Sequence, residues 1–191
     1  APKLRRFAGG RPVIMLCGML YPQRGVESFL KVAMANPQWC FALIGEIPYF
    51  ADEISGKALL DDFLRRHPFG FFHPLKLPDE TVYNSIVAAS DVIWNIHIDW
   101  PGSSNTLTKA ALFEKPVVVG DKHLLAERVR EYRLGEICSE DSVQSISAAL
   151  HRILSAPSDW RSVHQPNWCA YREAHSPDRL REAFSSILAK I

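Results

Sequence analysis

The sequence predicts a doubly wound α/β fold, an open parallel sheet of about six strands with helices on both faces. Three observations lead there. Several short, nearly continuous apolar runs lack the inside-outside alternation of a half-exposed sheet, so both faces of each run need cover. Segments with one apolar face at helical spacing separate these runs. The regular alternation of the two is the pattern that gives parallel strands joined by helical crossovers.

The first run is Val13 to Cys17 (VIMLC), followed by a loop holding Gly18, Arg24 and Gly25. A helix comes next, with Val26, Phe29, Leu30 and Ala33 on one face. Asn36-Pro37 closes it, because a proline disfavours helical geometry in the residue before it. Trp39 to Ile44 (WCFALI) is the second strand, and Leu59, Leu60, Phe63 and Leu64 mark the apolar face of the helix after it. Gly70 to His73 is a weaker strand. Pro78-Asp79-Glu80 opens another helix, since proline fits the first turn and acidic groups favour the positive end of the helix dipole. Val92 to Ile98 (VIWNIHI) is a strand that leads into Pro-Gly-Ser-Ser-Asn and a helix, and Val117 to Val119 is the next strand. Gly135 to Cys138 reads as a weak sixth strand, before a helix carrying Val143, Ile146, Leu150 and Ile153. Residues 1–155 thus form a Rossmann-like unit. Residues 156–191 form a helical C-terminal extension of the same domain, ending in the amphipathic PDRLREAFSSILAKI.

Composition narrows the function. A 191-residue chain that is 47% hydrophobic can bury a real core. Its 22 basic and 21 acidic side chains nearly cancel, so bulk charge calls for neither nucleic acid nor an anionic membrane. Cys17, Cys40, Cys138 and Cys169 lie far apart, and three of them sit in or beside apolar runs as small hydrophobes, which suggests reduced thiols and a cytoplasmic setting. No apolar run approaches the roughly 20 residues of a membrane span, so no direct membrane insertion is expected. No signal-peptide pattern opens the chain, and a first residue other than Met suggests an excised segment or a processed start. The seven histidines show no metal-ligand spacing, and no metal or cofactor is expected. Asp61-Asp62, within LLDDFLRR, reads as a solvated helical face.

In an open parallel sheet, ligands gather beyond the carboxyl ends of the strands, where successive connections diverge to opposite faces. Two loops at such ends favour an anion. After the first strand, Gly18 relieves crowding and Arg24-Gly25 can project a cation. After residue 98, Gly102 permits a close bend, Ser103 or Ser104 can cap the next helix, and the free N–H groups of that helix attract negative charge. Each feature also has an ordinary reading: most Pro-Gly-Ser turns are only turns, a capping serine needs no ligand, and Arg24 alone would be a solvated loop charge. His97, in an apolar run, reads first as a packed core histidine and has a minor share of the site. Trp94 and Phe71-Phe72 read as core, and Trp100 could face a sugar or a base.

The order of these segments resembles the C-terminal half of the GT-B glycosyltransferases, in particular the large retaining group that uses nucleotide-sugar donors. The segments that carry the resemblance are VIMLCGMLYPQRGVESFL, FALIGEIP, LPDETVYNSIVAASDVIWNI and SSNTLTKAALFEKPVVVGD, together nearly the whole chain. The resemblance implies a donor half. A nucleotide diphosphate would lie between Gly18 with Arg24 and Gly25 on one side and Gly102, Ser103, Ser104, Asn105 and Thr106 on the other. Glu46 would lie in the turn after the second strand, and Leu75, Lys76 and Leu77 would receive the base. Arg24 would neutralise the leaving diphosphate. Many members carry a glutamate, seven intervening residues and a second glutamate, the first positioning the donor sugar and the second holding the ribose hydroxyls, where this chain has Pro101 and Lys109. Asp99 is close enough to replace the first, but Lys109 cannot accept hydrogen bonds and would reach either a phosphate or solvent. Met19 stands where the family often has arginine.

The implied function is a donor nucleotide-sugar-binding half that binds but does not turn over without an N-terminal acceptor-binding domain. A rival is a degenerate, non-catalytic domain used for protein association, which Pro101 and Lys109 favour. A dinucleotide-dependent oxidoreductase is a poorer reading, because no Gly-x-Gly-x-x-Gly turn follows any strand.

Overall fold

A computed structural model describes residues 2–74 and 79–189. Six parallel strands form one sheet in the order β3-β2-β1-β4-β5-β6. They are β1 (Val13–Cys17), β2 (Cys40–Ile44), β3 (Gly70–His73), β4 (Val92–Trp94), β5 (Val117–Gly120) and β6 (Gly135–Cys138). Among the described residues ten α-helices accompany it: α1 (Pro2–Ala8), α2 (Val26–Ala35), α3 (Glu53–Arg66), α4 (Glu80–Ala88), α5 (Asn105–Leu112), α6 (His123–Tyr132), α7 (Val143–Leu154), α8 (Pro157–His164), α9 (Trp168–Ala174) and α10 (Pro177–Leu188).

Alternate residues of each central strand enter opposite cores. Ile14, Leu16, Phe41, Leu43, Val92 and Trp94 face α2, α3 and α7, while Val13, Met15, Ala42, Ile93, Val117 and Val119 face α1, α4, α5, α6 and α9. With both faces covered, the strands need no polar side, which explains their continuous apolar runs. The two faces are joined where the chain leaves β3 at one edge and α4 carries it across to β4, next to β1. That reversal makes β1 and β4 neighbours whose following connections diverge.

β4 is shorter than the sequence suggests. Its ladder with β1 holds only Ile14 against Val92 and Met15 against Ile93, and the chain turns off after Trp94. Ile96 is nevertheless fully buried and Ile98 packs against the same core, so the apolar run extends past the strand because the loop itself is anchored. The C-terminal extension divides in two. α8 and α9 dock through Trp160, Trp168 and Tyr171, all buried, and Trp160 donates to the Glu136 carboxylate at 2.8 Å. By contrast α10 buries no residue and leaves Leu180, Phe184, Ile187 and Leu188 exposed on its apolar side.

Candidate functional site

The loops after β1 and β4 meet at the reversal point. After β1, Gly18 donates its N–H to the Ile44 carbonyl at 3.0 Å and Leu20 donates to Glu46 at 2.9 Å, so this loop runs on alongside the end of β2. That course brings Gly18 against Gly45, and a methyl on Gly45 would lie 1.8 Å from the Gly18 carbonyl oxygen. The loop then forms a 3₁₀ turn over Pro22–Arg24 that ends on Gly25 at φ 66° and starts α2. On the other side, Ile98 donates its N–H to the Gln23 carbonyl at 2.7 Å, a main-chain tie between the two loops. Ser104 caps α5 by accepting from the Thr106 N–H at 3.2 Å, and its own hydroxyl donates to Asn95 Oδ1 at 2.9 Å. The hydroxyl thereby fixes where the first turn of α5 points.

Arg24 closes the junction. Its Nη2 donates to the Cys17 carbonyl at 2.9 Å and to Thr106 Oγ1 at 3.3 Å, and its Nη1 meets His97 Nε2 at 3.0 Å. Because a guanidinium only donates, His97 accepts at Nε2 and carries its proton on Nδ1. The Arg24 Nε is fully buried and has no partner among the described residues. Burial lowers the Arg24 pKa, as it does for any cation withdrawn from water, yet an arginine remains charged. Burial and the adjacent Arg24 charge push His97 down to about 3, so it is a neutral acceptor across the physiological range. Burial raises Cys17 to about 11 and also raises Tyr83, so neither is ionised beside Arg24.

This His97 shift has a measurable sign. The folded chain resists a proton that the unfolded chain accepts below its ordinary pKa of 6.5, so the stability from neutral His97 is complete above pH 6.5 and falls as pH drops toward 3. The slope is at most about 1.4 kcal/mol per pH unit for this group. His67 is also lowered by burial and adds to the loss. Urea denaturation of His97→Gln at pH 7, 6 and 5 should show a flatter decline than the parent; identical slopes would refute the assignment.

The junction borders a cavity of about 930 Å³. One wall is Gly18, Met19, Arg24 and the start of α5 at Ser103, Ser104, Asn105 and Thr106. The start of α4, beside α5, adds Asp79, Glu80 and Tyr83 to the lining, and Tyr21, Glu46, Tyr49 and Trp100 complete it. Of the sequence-based candidates, Gly18, Met19, Arg24, Glu46, Ser103, Ser104, Asn105 and Thr106 come together here, while Gly25 and Gly102 shape the loops behind them. Lys76 and Leu77, with Leu75, lie outside the described residues. Asp99 does not line the cavity; it has φ 46°, is exposed, and its carboxylate meets His123 Nε2 at 3.1 Å. Lys109 does not line it either, and is engaged by Glu80 and by Asn84. Tyr21, Tyr49, Tyr83, Glu80 and His97 were not singled out for the site or had only a minor share in it. Nothing in their local sequence marks them, because the topology gathers them from four separate segments. Among the described residues, no group of three or more His, Cys, Asp or Glu could hold a metal ion.

No protein-family model matches the sequence, and no curated protein sequence matches it significantly. Solved structures do match. Anabaena HepE in complex with UDP superposes over 99% of this chain and 52% of its own, with a TM-score of 0.81 at 17% identity. The C-terminal domain of LpcC, a glycosyl transferase group 1 family protein from Francisella tularensis, matches 93% of this chain and 95% of its own, with a TM-score of 0.74 at 17% identity. The chain has the fold of a GT-B C-terminal domain. Sucrose-phosphate synthase from Thermosynechococcus elongatus shares this fold over the whole of this chain and 50% of its own, with a TM-score of 0.68 at 17% identity. The chain therefore spans about half the length of HepE and of the synthase. Among the described residues, no helix of this GT-B-like domain is long and apolar enough to cross a membrane.

Proposed function

We propose that this chain is the donor nucleotide-sugar-binding half of a retaining glycosyltransferase. It works with an N-terminal half that holds the acceptor. The observation that carries the reading is Arg24, which bridges the two loops beside the capped start of α5 and lines a cavity large enough for a nucleotide sugar. Departure of a nucleoside diphosphate from the sugar builds negative charge on the leaving phosphate oxygen. A fixed guanidinium and the free N–H groups at the start of α5 stabilise that charge better than they stabilise the ground state, and this lowers the barrier. Neutral His97 and the Cys17 carbonyl hold the guanidinium in place, so little reorganisation is needed. Glu46, which lines the cavity, accepts from sugar hydroxyls in this reading. Residues 1–155 supply the binding sheet. Residues 156–191 belong to the same domain through Trp160, Trp168 and Tyr171. Cys17, Cys40, Cys138 and Cys169 are free thiols, which suits a cytoplasmic setting.

The reading is tested by calorimetric titration of the domain with UDP, GDP and ADP sugars. Saturable binding of one base series, without sugar transfer or hydrolysis by the isolated chain, is the expected result. Silence across the panel from a folded domain would instead favour a cleft that has lost its ligand and serves protein association. The Met19 side chain on the cavity wall favours that second reading, since it leaves Arg24 as the one arginine lining the cavity among the described residues.

A further inference from the structure

A second cavity, of about 230 Å³, lies at the amino ends of β1, β4 and β5, the end of the sheet away from Arg24. Pro12, Asp91 and Pro116, which directly precede those strands, line it together with the end of α7 and the start of α8. Its charges do not balance. Arg5, Lys115 and Arg161 line it against one carboxylate, Asp91. That carboxylate is already used: Arg5 donates to both of its oxygens, at 2.8 and 2.9 Å, and the Val13 N–H donates to Oδ2 at 2.8 Å. Arg161 is held by groups that leave its charge intact, the Glu114 carbonyl at 2.9 Å and the Trp168 ring at 4.8 Å. The Glu114 carboxylate is itself paired with Arg172. Among the described residues no carboxylate pairs with Lys115 or with Arg161. Burial lowers the pKa of Lys115; Asp91 opposes that shift, and the charges of Arg5 and Arg161 add to it.

We propose that this cavity binds a phosphoryl dianion, free or as the monoester of a small alcohol, on Lys115 and Arg161. The proposal does not depend on the donor-site reading. Arg5 and Asp91 cancel, so two cations remain, and they match the two charges of a phosphate. They match its oxygens as well, since a guanidinium and an ammonium only donate, and their bonds to a charged acceptor are the strong ones. Two like charges in one cavity repel each other, and a dianion shared between them turns that repulsion into attraction. The start of α8 adds to this. Pro157 lines the cavity, no side chain caps the helix there, and its first N–H groups contribute positive potential, while Asp159 of the same turn is not part of the lining. The volume is below the roughly 300–1,000 Å³ of a pocket for a drug-sized ligand, so a nucleotide is too large. Ile153, Leu154 and Trp160 give the rest of the lining an apolar character that suits a short carbon group.

The test is calorimetric titration with inorganic phosphate and with phenyl phosphate, in chloride buffer of constant ionic strength, of the parent, Lys115→Met, Lys115→Arg and Arg24→Ala. The parent should bind saturably. Lys115→Met should weaken binding by about 10-fold or more, as expected for losing a charge-assisted hydrogen bond, and Lys115→Arg, which keeps the charge, should retain most of it. Arg24→Ala should leave this binding in place, because Arg24 lies at the other end of the sheet. Tighter binding of phenyl phosphate than of inorganic phosphate identifies a monoester as the ligand; equal or weaker binding identifies free phosphate. Absence of saturable binding by the folded parent overturns the proposal. Binding that survives in Lys115→Met overturns it too, and if that binding is lost in Arg24→Ala it belongs to the cavity beside Arg24.

Discussion

Replacing Arg24 with alanine is expected to weaken nucleoside diphosphate binding by roughly 100-fold or more, the usual scale for truncating one member of a buried, hydrogen-bonded charge contact. Arg24 contributes twice. Its charge faces the cavity, and its Nη1 and Nη2 tie the loop after β1 to His97, the Cys17 carbonyl and Thr106 of α5. Arg24→Lys separates these contributions. Lysine keeps the charge but not the planar fork, so it should recover only part of the lost affinity. Titration of both variants alongside circular dichroism, to confirm that each is folded, gives the answer. An Arg24→Ala domain that binds a nucleotide as tightly as its parent would show that the cavity recognises its ligand elsewhere.

The second large effect concerns stability. Gly45→Ala should lower the melting temperature by about 6–12 °C, from roughly 3 kcal/mol or more of destabilisation in a chain of this size. Gly45 sits at φ 141°, and its new methyl would lie 1.8 Å from the Gly18 carbonyl oxygen and 2.9 Å from the carbon bearing it. Neither atom is a flexible side-chain end; both are backbone, at the strand tip that forms one wall of the cavity. Gly10→Ala is the matching control, since Gly10 also has a left-handed φ, at 84°, but nothing lies within 4 Å of its added methyl. Thermal unfolding of the pair therefore separates conformational strain from collision. A Gly45→Ala shift no larger than that of Gly10→Ala would show that the two backbones part easily.

The strands were legible in the sequence because a sheet covered on both faces demands continuous apolar runs, and five of the six end within a residue of where those runs place them. β4 was overestimated for the same reason: Ile96 and Ile98 are apolar because the loop they belong to is buried. α1 buries Leu4 and Ala8, too few positions for periodicity to single it out, whereas α6 sets Leu125, Ala126 and Val129 on one buried side at helical spacing and was legible though not singled out. In the site, Gly18, Arg24, Ser104 and Thr106 were legible because strand tips and helix starts leave local signatures. Tyr83 left none, and Glu80 was marked only as part of a helix start, not as a cavity residue. Their place on the cavity depends on α4 crossing the sheet beside α5, a fact of topology rather than of neighbouring residues. Lys109 shows the same limit: position on its own helix offered a phosphate or solvent, whereas a carboxylate on the adjacent helix holds it.

The adjacency of β1 and β4 sets the gauge of the cleft. Parallel neighbours stand about 4.8 Å apart, a spacing held by ladder hydrogen bonds and indifferent to side-chain identity. The roots of the two loops inherit that interval from the sheet, and the cleft opens where the loops diverge from it. The side chains that line the opening can therefore vary while main-chain geometry fixes where its two loops begin.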